Sequence, residues 1–221
     1  MWPSPLAILA FVAALFAGSV ALAEDAWQPL VTQDGVSVRQ RTSAGRELPE
    51  LEASVEIDAG LFEVLAVITD VPRQTQWMHD CVESRLVRRE GDDVSLIYNR
   101  TDAPWPVSDR DVVLRSETKL LAPSAHVAVR FANVADPAAP AVDGVVRMPR
   151  LVGAYDLTWV SPTRTRVSYQ LDIDPGGSLP GFAVTRTTRE TPLYTLLGLR
   201  RQVEVMRGNY TEFVTRWSGR R

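Results

Sequence analysis

Residues 192–217 read PLYTLLGLRRQVEVMRGNYTEFVTRW, and the spacing of their apolar side chains decides what the rest of the chain has to be. Leu193, Leu196, Leu199, Val203, Met206, Tyr210, Phe213 and Trp217 recur at intervals of three or four, which sets them on one side of an α-helix. Arg200, Arg201, Glu204, Arg207, Glu212 and Arg216 fall mostly on the other side. A single helix over this stretch is ~39 Å long at ~1.5 Å per residue. It needs a broad apolar surface to lie on. Periodicity leaves open whether the space beneath is filled, as under an ordinary core helix, or kept for a guest molecule.

Working outward, the preceding sequence supplies such a surface. Residues 36–41 and 51–57 alternate apolar with polar and read as strands, the first introduced by the turn Asp34-Gly35. Residues 58–69 shift to helical spacing, with Asp58 placed to cap the N-terminus, and 72–78 form a second short helix ending at Trp77. Six further strands are expected at 82–89, 94–101, 111–121, 126–134, 151–160 and 165–173. Their short links favour an antiparallel meander. Residues 135–141, a run of Ala and Pro around one Asp, read as an exposed loop.

The strands are sided. In 111–121, Val112, Leu114, Ser116 and Thr118 oppose Arg115, Glu117 and Lys119, so the uncharged face points inward. Tyr155, Leu157 and Trp159 likewise oppose Asp156 and Thr158; Val167, Tyr169, Leu171 and Ile173 oppose Arg166, Ser168, Gln170 and Asp172. Val94, Leu96 and Tyr98 share a third such face. The fold class implied is α+β: a curved antiparallel sheet wrapped about a long C-terminal helix. Tyr98, Ser116, Tyr155, Trp159 and Tyr169 on the inner face carry polar tips that need partners once buried. A cavity uses such residues as anchors on apolar walls. The candidate ligand contacts are therefore Tyr98, Val112, Leu114, Ser116, Tyr155, Leu157, Trp159, Tyr169 and Leu171 on the sheet, with Thr195, Leu196, Leu199 and Val203 on the helix.

Composition bounds the rest. Residues 6–16 are uncharged and apolar, and Ala21-Leu-Ala23 before Glu24-Asp25 has the small-x-small form of a signal-peptidase site. Residues 1–23 are read as a cleaved secretory signal and 24–221 as one domain; a retained anchor is the alternative, since no Lys or Arg precedes the apolar run. The expected location is periplasmic or secreted. Net charge is −3, which argues against a nucleic-acid partner. One cysteine, Cys81, rules out an intrachain disulfide framework.

Residues 105–113, WPVSDRDVV, closely resemble the P-x-S-x-R-D-F-V segment of START domains, the steroidogenic-acute-regulatory-protein-related lipid-transfer family. Residues 174–180, DPGGSLP, resemble that family's D-x-x-G-x-L-P lead into its lid helix; Val145-Val-Arg147, and Trp77 followed by Glu83-Ser84, match weaker positions. The resemblance spans roughly residues 27–217. It implies a helix-grip fold, like that of Bet v 1, holding one lipid in a tunnel without catalysis. Animal sterol-binding members carry a buried charged pair there. This sequence departs from them, because the corresponding inward position is Ser116 and Arg115 faces outward. Pro192 should kink or divide the helix by removing the bond to the Thr188 carbonyl, and the junction is a candidate gate.

Signals for catalysis are poor. His79 and His126 lack metal-ligand spacing, no Gly-x-Ser-x-Gly elbow occurs, and Cys81 has no evident base. No catalytic residue, metal or cofactor is expected. The reading is a monomeric carrier of a hydrophobic small molecule, with transient membrane contact steered by Arg200, Arg201 and Arg207. The alternatives are a helix-grip enzyme of the polyketide cyclase or hydrolase type, and a partner-binding module with a closed core.

Overall fold

A computed structural model describes residues 26–42, 45–122 and 125–220. The expected signal and its cleavage site lie outside these residues. Strands β1 (Gln28–Gln33), β2 (Val36–Arg41) and β3 (Glu50–Ile57) come first, then helix α1 (Leu61–Thr69) and a 3-10 helix (Val71–Gln76). Strands β4 (Cys81–Arg89), β5 (Val94–Thr101), β6 (Arg110–Ala122), β7 (His126–Asn133), β8 (Val146–Arg147), β9 (Arg150–Ser161) and β10 (Arg164–Asp174) follow. The helices α2 (Gly181–Thr185), α3 (Thr191–Val205) and α4 (Thr211–Ser218) close the chain, with a π-helical segment, Arg186–Glu190, joining α2 to α3.

The strands form one sheet in the order β1-β2-β3-β10-β9-β7-β6-β5-β4, every neighbouring pair antiparallel, while β8 pairs in parallel with the start of β6. The first and last parts of the chain meet at the β3–β10 pair, so the meander is stitched across its middle. Asp34 and Gly35 both take positive φ, 48° and 77°, which suits the two-residue hairpin between β1 and β2.

On the concave face α3 lies over β2 and β3 and against α1. Leu65, Leu157, Val167, Leu196 and Leu199 are fully buried there. Gly198 makes the close crossing possible: a Cβ on it would stand 2.1 Å from the Trp77 carbonyl oxygen. The convex face is covered too. Tyr98, Val113 and Ala139 pack together beneath the segment after β7, which Arg88 holds through Asp136 and Arg147 holds through the Ala139 and Pro140 carbonyls.

Four local expectations are corrected. The terminal helix starts earlier than Pro192 and ends sooner than Trp217, because Gly208, at φ 78°, breaks it after Val205 and α4 turns back to pack Trp217 on Phe62, rings 6.3 Å apart. Pro192 does not divide the helix: the widened π-helical turn just before it carries the chain continuously from α2 into α3. Gly60, not Asp58, caps α1; the Glu63 carboxylate accepts the Gly60 N–H at 2.9 Å, and Asp58 pairs with Arg164 instead. The 135–141 loop is only partly exposed, since Asp136 and Ala139 are buried.

Candidate functional site

Between the β5–β10 half of the sheet and the helices lies a cavity of about 450 Å³. It runs from Leu179 and Ala183, at the start of the terminal helix, to Phe213 and Trp217 on α4. Its strand walls follow from pleat: on β6 the inward residues Val112, Leu114, Ser116 and Thr118 all face it, as do Tyr155 on β9 and Tyr169 and Leu171 on β10. Thr195 faces it from α3.

Six of the expected contact residues are elsewhere. Leu157, Leu196, Leu199 and Val203 are buried in packed core, off the cavity wall. The helix rotates its most apolar stripe onto β2, β3 and α1, where close packing gains most, and turns Thr187, Thr191 and Thr195 toward the space. Trp159, near the end of β9, is 45 % exposed. Tyr98 sits on the convex face beneath Ala139, and Ser95, Ile97, Asn99 and Thr101 of β5 line the cavity instead. Both faces of β5 are covered, so its sequence shows no clean alternation from which the inward set could be chosen.

Aromatic rings form part of the wall. Tyr155 and Tyr169 stack with centroids 4.3 Å apart and planes within 7°, and Phe131 leans on both at 5.9 and 6.5 Å. Burial pushes the Tyr169 hydroxyl up to about 12 and raises that of Tyr155 strongly, so both are neutral phenols at physiological pH. The Tyr155 hydroxyl is enclosed and has no well-formed hydrogen bond. Gln74 is satisfied: its amide donates to the Ile68 carbonyl at 3.2 Å, and its oxygen accepts from Ser84 at 2.8 Å and Asn99 at 3.1 Å.

The catalytic candidates are quiet. Burial pushes the Cys81 thiol up to about 11, which keeps it out of the nucleophilic thiolate form. Burial also lowers the His79 pKa, and its neighbour Asp80 is clamped by Arg186 at 2.5 and 2.6 Å. Among the described residues no cluster of three or more metal-ligating side chains occurs.

Charge is sorted at the start of β6. Asp109 pairs with Arg100 at 2.6 Å; Asp111, 1 % exposed, accepts from Arg147 Nε at 2.6 Å, Arg147 Nη2 at 3.1 Å and the Tyr98 hydroxyl at 3.1 Å. Arg110 points the other way, onto the cavity wall. The alternation of the pleat splits the Asp109-Arg110-Asp111 triplet into two outward anions and one inward cation. Arg200 and Arg207 are tied to the Asp34 and Asp58 carbonyls at 2.7 and 3.0 Å.

Comparison with known proteins agrees with this geometry. The START domain family profile matches residues 11–203. An uncharacterized protein of Pseudomonas aeruginosa is 34% identical over 184 residues, covering 83% of this chain and 89% of that one. Among solved structures, a STAR-related lipid transfer protein fragment from Xanthomonas axonopodis superposes with a TM-score of 0.73 at 32% identity, covering 81% of this chain and 99% of that one. Human StAR-related lipid transfer protein 5 shares the fold, with a TM-score of 0.74 at 18% identity over 85% of this chain and 89% of the human one. A helix-grip sheet, a hollow beneath its terminal helix and a family match over most of its length together make this chain a member of the START domain family.

Proposed function

We propose that the protein carries a single lipid in the cavity and releases it chemically unchanged, shuttling it between membranes. The observation that carries this reading is the hollow itself: about 450 Å³, with Val112, Leu114, Phe131 and Leu171 on its wall between hydroxyl, amide and arginine side chains, within the ~300–1,000 Å³ range of small-molecule sites. Each buried methylene contributes ~0.8 kcal/mol, so a fatty chain of ordinary length is held firmly. The lipid-transfer names of the structural relatives support the same class of ligand.

The exit is at the start of the terminal helix. α2 is a short helical piece, and the π-helical turn after it is the weakest link of the rod. Exposed Trp105 and Phe182 flank this end, each beside a cavity-lining residue, Val107 and Ala183 respectively. That placement supports a membrane-facing end, with the rings dipping into the headgroup layer as α2 swings away. Secretion to the periplasm or beyond, after removal of residues 1–23, completes the proposal. Native mass spectrometry of protein purified from its own host is the test: a single bound lipid is expected, and a ligand-free protein that also fails to take lipid from vesicles overturns the reading.

A further inference from the structure

Arg110 is a buried cation that forms no salt bridge among the described residues. It is 7 % exposed and lies on the cavity wall. Its guanidinium makes two hydrogen bonds, both to backbone carbonyls: Nη1 to Ser108 and Nη2 to Gly176 at 3.3 Å. The Nε–H is enclosed and has no acceptor. The two carboxylates that flank it in the chain are engaged elsewhere, Asp109 by Arg100 and Asp111 by Arg147. The other arginines on the wall differ: Arg186 is clamped by Asp80, while Arg89 and Arg216 are exposed. Burial draws the Arg110 pKa down, which Asp109 only partly offsets. A desolvated guanidinium with spare donors is a costly thing to keep unless an anion arrives to meet it.

We propose that Arg110 is the headgroup anchor of the cavity, and that the ligand is a one-tailed amphiphile ending in a carboxylate or a phosphate. The proposal rests on the carrier reading above. Arg110 lies beneath the link between β10 and α2, through its bond to Gly176, so the charged head docks under the proposed exit. From there Val112, Leu114 and Ser116 continue the same inward face of β6, an uncharged track of ~20 Å at ~3.4 Å per residue. A cavity of about 450 Å³ is near the lower end of ~300–1,000 Å³, a volume suited to one tail. A carboxylate or phosphate takes a guanidinium in paired, charge-assisted hydrogen bonds that an alcohol cannot form.

The test uses the delipidated full chain and three probes with one tail: oleate, oleyl phosphate and oleyl alcohol, titrated by tryptophan fluorescence below their critical micelle concentrations. At least one charged probe is expected to bind about tenfold or more tightly than the alcohol, and comparison of the two charged probes separates carboxylate from phosphate. Arg110→Met should bind the alcohol as the parent does and lose the preference; Arg110→Lys should keep part of it. No preference in the parent, or a preference that survives in Arg110→Met, overturns the anchor. If Arg110→Met does not fold, the parent's ranking of the probes and Arg110→Lys decide. Alcohol binding without a charge preference sinks the anchor alone; no binding of any probe sinks the carrier reading with it.

Discussion

Asp111 and the Tyr155–Tyr169 pair show what single residues do on the two faces of this sheet. Asp111 holds Arg147 and Tyr98 on the convex face, and with Arg147 it fastens the 135–141 loop over β5 and β6. Asp111→Asn leaves Arg147 without its partner. Loss of a fully buried pair costs ~3–5 kcal/mol, and water reaching the 29 %-exposed Arg147 lowers this to ~2–3 kcal/mol. Urea unfolding measures it, and an unchanged midpoint would show that the loop needs no such fastening. On the concave face, burial holds the Tyr169 proton to about 12 and raises the pKa of Tyr155 strongly as well, against ~10 for a free phenol. Below pH ~10 both states keep these protons. As pH rises further the unfolded chain loses protons that the folded one keeps, so stability falls by ~1.4 kcal/mol per pH unit for each such tyrosine. For Tyr169 the fall stops near 12, where the folded group ionises as well. Tyr169→Phe should shed one tyrosine's share of this slope in urea midpoints between pH 9.5 and 11.5; parallel curves would contradict it. The inward placing of Tyr155 and Tyr169 was legible from parity. Tyr98 was not, because parity says which residues share a face but not which face is concave when both are covered.

At the scale of elements, the terminal helix separates what spacing reveals from what it hides. The three-or-four repeat correctly marked a helix buried along one stripe, yet an apolar stripe seeks close packing, so Leu196, Leu199 and Val203 went to the solid core. The face left for the cavity is marked by a different set, Thr187, Thr191 and Thr195, at intervals of four. Gly208 followed by Asn209 was the stop signal within the quoted stretch. The π-helical turn has no comparable signal beyond Pro192 itself, which ends the need for a bond to the Thr188 carbonyl without saying how the chain will accommodate it. Gly198 is where the element is most sensitive. A methyl group there meets the Trp77 carbonyl at 2.1 Å, and neither backbone can yield without lifting α3 from the 3-10 helix and α1. Gly198→Ala should therefore cost about 3 kcal/mol, the upper part of the range for overpacking, whereas Gly181→Ala, which meets nothing within 4 Å, should be near neutral. Chemical denaturation of the two variants side by side checks this, and equal stabilities would mean that the crossing is looser than drawn.

For the whole molecule, the sheet is assembled from local pairings that a sequence can announce, and the hollow is a residue of that assembly that it cannot. Strand sidedness, the Asp34-Gly35 turn and the family motifs carried the helix-grip architecture; the volume left between α3 and the β5–β10 wall depends on how far the helix stands off, which no single residue encodes. An apolar space without contents forfeits dispersion contacts along its entire lining, so a guest that fills it should stabilise the fold by linkage. With free ligand at 100 times its Kd the gain is ~2.7 kcal/mol, and at ~2–4 °C per kcal/mol for a chain of this size the melting temperature rises by roughly 5–10 °C. Delipidated protein should accordingly melt that much below protein reloaded with oleate or oleyl phosphate. Ser116→Phe supplies the control, because it places a ring in the hollow from the middle of the β6 track. That variant should match or exceed the delipidated parent's melting temperature, as the ring replaces lost contacts, and it should show no further rise with ligand. If Ser116→Phe instead retained the full ligand-dependent shift, the lipid would have to bind somewhere other than beneath the terminal helix, and the reading of this fold as a container would fail with it.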